Sequence, residues 1–181
     1  MEKKRTNILK IVLSALFFAL AYVLPFLTGQ IPQIGGMLTP MHIPVLLCGF
    51  VCGWPWGLVV GFAVPLFRAL TIGVPYIFPK AVYMAFELAA YGAVAGVMHR
   101  ILPKRKPFIY CSLLTAMLVG RAVYGVAKYI CLGIKGDQFT FSMFIAGAFT
   151  ESIPGIIVQI VLVPILVMVL ENPKILKIKD R

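Results

Sequence analysis

Single charged side chains interrupt the long apolar runs of this chain. Arg68, Glu87, Arg121 and Glu151 each stand in such a run. A carboxylate or a guanidinium placed there is costly and marks a functional site by default. Two interpretations follow: these groups bind the polar part of a ligand, or the glutamates pair with the arginines and hold helices together.

Helical spacing groups further side chains with these charges. Residues three or four positions apart share two helical faces, each of which combines charged and aromatic side chains. One face has Lys80, Tyr83, Met84 and Glu87, and the other has Arg121, Tyr124, Gly125 and Lys128. Apolar walls with a few polar groups are typical of small-molecule sites. The predicted substrate-binding residues are Met37, His42, Arg68, Lys80, Tyr83, Glu87, Arg121, Tyr124, Lys128 and Glu151. The alternatives are that Lys80 and Lys128 extend to lipid headgroups and that His42 is structural.

Sequence patterns for catalysis are missing. The chain has no G-x-S-x-G, no H-E-x-x-H and no phosphate-binding G-x-x-x-x-G-K-[ST] sequence. Cys48 and Cys52 lie one helical turn apart, but no histidine or acid nearby completes a metal site. We therefore predict no enzyme activity, no catalytic residue, no metal and no cofactor.

Composition defines the class of protein. Of 181 residues, 61% are hydrophobic and 13% are charged, whereas soluble domains average about 25% charged residues. This excludes soluble, disordered and nucleic-acid-binding proteins despite a net charge of +11. Because a membrane-spanning helix needs about 20 apolar residues, the chain has room for about six spans and no soluble domain.

The elements that must position the charges are six helices. Apolar runs between proline and glycine breaks predict one all-α integral membrane domain over residues 1–181, with helices at about 8–27, 40–53, 56–72, 79–101, 107–132 and 142–171. The second helix, introduced by Thr39 and Pro40, is too short to cross a bilayer. We therefore expect the uncharged first extracellular loop, residues 28–39, to be partly buried and to fill the remaining depth.

Basic clusters predict the orientation. With six spans, the clusters at residues 3–10, 100–106 and 174–181 fall on one side, which makes both termini cytoplasmic. Counting along the helices then places the four embedded charges about 9–14 Å below the outer face. The outer half carries five basic and three acidic residues, a net charge of +2, which mildly favours an anionic substrate.

Small residues give helix one a flat strip. Ala15 and Ala19 stand four positions apart, which permits close approach of another helix. The alternative is packing within the chain. Together with the run from Leu38 to Phe50 and the turn from Gly53 to Gly57, this strip resembles the substrate-binding (S) components of energy-coupling factor (ECF) transporters. The resemblance covers essentially the whole chain.

The resemblance implies a function and partners. The chain would be the high-affinity binding subunit of an ATP-driven importer of a water-soluble vitamin in the bacterial cytoplasmic membrane. Ala15 and Ala19 would contact the transmembrane coupling (T) subunit, two cytoplasmic ATPases would hydrolyse ATP, and residues 30–39 would close the site. The predicted positive charge favours pantothenate as the substrate. A riboflavin-like substrate, with its ring stacked on Tyr83 or Tyr124, is the alternative. The alternatives are a proton-coupled secondary carrier using Glu87 and Glu151, and an intramembrane enzyme.

Overall fold

The computed structural model describes residues 2–27, 39–103, 105–136, 140–147 and 152–171, and these contain helices without a strand. The helices are α1 Glu2–Leu27, α2 His42–Cys52, α3 Trp54–Ile72, α4 Val82–Ile101, α5 Lys106–Lys135, α6 Phe141–Ile145 and α7 Ile153–Leu170, with a π-type turn, Ile77–Ala81, leading into α4. In the described part of the chain five helices are long and apolar enough to cross a membrane, and α2 is shorter. The all-helical membrane architecture is therefore confirmed. The count of six spans and the orientation of the termini stay predictions.

Helix α2 forms the centre of the bundle. Its 11 residues span about 16 Å, and all of them except Ile43 are buried. Helices α1, α3, α4 and α7 pack around it. Because its side chains are apolar after His42, the segment is stable inside the protein rather than against solvent.

Glycines let α2, α3 and α4 meet backbone to backbone. A Cβ atom added to Gly57 would lie 2.6 Å from the carbonyl oxygen of Gly92, and one added to Gly49 would overlap that same carbonyl group. No other residue type fits these positions without moving a helix. Since Glu87 and Tyr91 lie within about one and a half turns before Gly92, this contact places both side chains in the interior.

Two local predictions differ from the structure. Helix α2 begins at His42, two residues later than predicted, because the Thr39 carbonyl accepts the His42 N–H in a turn at 3.0 Å. The predicted continuous helix 142–171 contains two helices, α6 and α7, and the second begins with Pro154 in its first turn, where the missing N–H costs no hydrogen bond. The loop predicted to be partly buried spans residues 28–39, of which 28–38 lie outside the described residues.

Candidate substrate-binding site

A buried ion pair joins α4 to α5. The Arg121 Nη1 donates to Oε1 of Glu87 at 2.9 Å, and the two side chains are 7% and 3% exposed. The pairing that the sequence offered as an alternative to ligand binding is therefore real. It still leaves most of the guanidinium's donors unused, so pairing and ligand binding are compatible.

His42 extends this pair to α2. Its Nε2 lies 3.4 Å from Glu87 Oε1, and its ring meets the Tyr91 ring edge-on at 4.9 Å between centroids. Tyr91 is fully buried, and Gly120 on α5 leaves room for its ring. Helices α2, α4 and α5 thus contribute polar side chains to one buried cluster.

Gln159 links α7 to the chain just before α2. Its Nε2 donates to Oγ1 of Thr39 at 2.7 Å, and Gln159 itself is fully buried. Thr39 has φ of 43°, a left-handed conformation that is strained for a β-branched residue. Such strain is found at ligand sites, where the surrounding structure has to hold it.

We call His42, Glu87, Tyr91, Arg121 and Gln159 the polar centre. Five of its buried polar atoms have no hydrogen-bond partner within the described residues: His42 Nδ1, Tyr91 OH, Arg121 Nε, Arg121 Nη2 and Gln159 Oε1. An unsatisfied buried polar atom costs about 1–3 kcal/mol, and native proteins contain few of them. These atoms make the polar centre the candidate site for a polar ligand.

A second cluster lies further along α5, and we call Tyr83, Tyr124 and Lys128 the aromatic cluster. The Lys128 Nζ donates to the Tyr124 hydroxyl at 2.8 Å and lies 5.1 Å from the centre of that ring. The rings of Tyr83 and Tyr124 meet edge-on at 5.4 Å. The segment after α6 packs directly on this cluster, since a Cβ atom on Gly147 would lie 2.8 Å from the Tyr124 hydroxyl.

Arg68 lies apart from the polar centre. Its Nη1 donates to the Tyr22 carbonyl of α1 at 2.7 Å, and the guanidinium carbon lies 4.7 Å from the centre of the Phe26 ring. Arg68 therefore attaches the end of α1 to α3. Lys80 is exposed in the turn before α4. Met37 and Glu151 lie outside the described residues.

The predicted alanine strip faces outward. Ala15 and Ala19 are both exposed, and Leu16 and Leu20 beside them are 52% and 41% exposed. The strip is therefore not buried against the helices that the structure describes. It leaves a flat apolar surface on α1 for lipid or for another helix.

Two members of the polar centre, Tyr91 and Gln159, are not among the residues predicted from the sequence. Gln159 is the one polar side chain in the apolar sequence of α7, and this lone position was a usable signal. Tyr91 follows Glu87 by four residues, so it continues the helical face of Glu87.

A bundle of apolar helices around buried polar side chains defines the chain as a multi-pass membrane protein. The sequence model of the ECF transporter substrate-specific component matches residues 9–167. The chain belongs to this family, whose members are transporter subunits rather than enzymes and act with T and ATPase subunits on a small-molecule substrate. No curated protein and no solved structure matches the chain.

Proposed function

We propose that this chain is the high-affinity substrate-binding subunit of an ATP-driven ECF-type importer of a water-soluble vitamin or related micronutrient. The observation that carries the proposal is the polar centre, in which five buried polar atoms lack partners among the described residues. In a transporter subunit, such a set provides the hydrogen bonds that a polar solute gives up when it leaves water.

The complex would comprise this chain, a T subunit and two cytoplasmic ATPases in the bacterial cytoplasmic membrane. Ala15 and Ala19 would dock the T subunit, because their exposed strip accepts a second helix at short distance. Six spans with both termini in the cytoplasm would place the polar centre in the outer half. Attachment of an impermeant thiol reagent to a cysteine introduced at Gly136, but not at Arg105, in intact cells would agree with this orientation.

Charge favours an anionic vitamin such as pantothenate, since the predicted outer half has a net charge of +2. The aromatic cluster supports a second candidate, a riboflavin-like ring. Its edge-on tyrosine rings offer apolar faces beside the Lys128 ammonium group, where a planar ligand would stack.

Reconstituted uptake tests the proposal. The purified chain should bind a vitamin at submicromolar concentration, and mass spectrometry of protein from rich medium should find it bound. Proteoliposomes should accumulate the vitamin only when the T subunit, the ATPases and ATP are all present. Accumulation by the chain alone, driven by a pH gradient, would instead establish the secondary carrier; no binding from a full vitamin panel would reject both.

A further inference from the structure

The Arg121 guanidinium has one edge that Glu87 does not occupy. Glu87 takes up Nη1, whereas Nε and Nη2 are buried without a partner in the described part of the chain. Nε and Nη2 form one side of the planar guanidinium, and their N–H groups point the same way. This pair of parallel donors matches the two oxygens of a carboxylate.

We propose that this edge of Arg121 binds a carboxylate of the substrate in two parallel hydrogen bonds. The proposal rests on the proposed function and specifies the ligand of the same site. Glu87 acts as a positioning residue, because its bond to Nη1 fixes the guanidinium plane. His42, 3.4 Å from the same carboxylate oxygen, holds Glu87 from the opposite helix.

The remaining unpartnered atoms specify the rest of the ligand. Gln159 Oε1 accepts hydrogen bonds only, and the Tyr91 hydroxyl can donate or accept. When His42 donates from Nε2 to Glu87, its Nδ1 is also an acceptor. A ligand that reaches these acceptors as well as the Arg121 edge therefore carries hydroxyl or amide N–H groups besides its carboxylate.

The charges permit this ligand. Glu87 neutralises Arg121 formally, so a second carboxylate needs further positive charge nearby. The predicted outer half supplies it, since the net charge of +2 expected there already counts Glu87. Lys128 lies on the same face of α5 as Arg121, two helical turns away, so a bound monoanion leaves that half positive.

Matched ligands test the proposal without any mutation. Dissociation constants are measured by calorimetry on the intact purified chain for three pairs: pantothenate and pantothenol, biotin and biotinamide, nicotinate and nicotinamide. Riboflavin and thiamine complete the panel. We expect one acid to bind about 100-fold more tightly than its neutral analogue, because the neutral group leaves donors of the buried guanidinium unpaired.

The variant Arg121→Lys then tests whether the preference for the acid depends on the Nε–Nη2 edge of the guanidinium. Lysine keeps a cation beside Glu87 but lacks the paired donors, so the acid should lose about 100-fold in affinity and the neutral analogue much less. Arg68→Lys is the matched control, because Arg68 is also a buried arginine but is bound to α1 instead. It should keep the wild-type preference for the acid.

The outcomes separate the two proposals. Tight binding of riboflavin or thiamine without any acid, or equal affinity for an acid and its neutral analogue, would overturn the carboxylate site and leave the importer function intact. An unchanged preference in folded Arg121→Lys protein would do the same. Absence of binding by every panel member would overturn both.

Discussion

Replacing either Glu87 or Arg121 alone should destabilise the fold more than replacing both together. Replacing Glu87 with Leu leaves the guanidinium of Arg121 buried without a counter-charge, and replacing Arg121 with Met does the same to the carboxylate. Each single change should therefore lower the free energy of unfolding by about 3–5 kcal/mol, the usual cost of breaking a buried pair.

The double variant Glu87→Leu/Arg121→Met removes both charges together. Well-packed apolar replacements of a buried pair are often nearly neutral. Here His42 also loses a contact at 3.4 Å, which adds about 1–3 kcal/mol for its buried nitrogen. The double variant should therefore cost about 1–3 kcal/mol, which gives a coupling energy of at least about 3 kcal/mol between the two residues.

Unfolding of the detergent-solubilised protein by added sodium dodecyl sulfate, followed by tryptophan fluorescence, measures these free energies. The control cycle combines Glu87→Leu with Arg68→Met. These two changes should be additive within about 0.5 kcal/mol, because Arg68 binds the Tyr22 carbonyl and not Glu87. Additive single effects in the Glu87–Arg121 cycle, or equal coupling in the two cycles, would refute the reasoning.

Three further predictions concern other features, and two of them have a matched control variant. Gly92→Ala should destabilise the protein by about 2 kcal/mol or more in the same unfolding assay because its Cβ meets backbone, whereas Gly133→Ala, with open space, should stabilise it by about 0.5–1 kcal/mol. Gln159→Leu removes an unpartnered buried oxygen but also the hydrogen bond to Thr39, so it should change stability by no more than about 1 kcal/mol. It should weaken substrate binding at least about tenfold in calorimetry. In reconstituted complexes, Ala15→Trp should abolish substrate uptake but keep substrate binding. The control Ala122→Trp, on the exposed side of α5, should change neither uptake nor binding. Equal uptake by these two variants would count against docking of the T subunit at α1.

Periodicity predicted part of the polar centre. Glu87 and Arg121 stood out because each is a charge in an apolar helix, and residues three or four positions away share its face in any α-helix. Spacing does not, however, state which helix lies opposite. Glu87 could have paired with Arg68 as readily as with Arg121, and only the packing shows that Arg68 binds the backbone of α1.

The sequence by itself determined the class of protein, because apolar composition and length permit only membrane-spanning helices, and the motifs of its first half indicated the family. The tertiary structure decided which polar groups meet. Glycines on α2, α3 and α4 bring these backbones into contact, and this approach turns Glu87 and Tyr91 toward His42 and Arg121. It also leaves one edge of Arg121 without a partner in the described chain, a property that depends on three-dimensional packing and that no local pattern encodes.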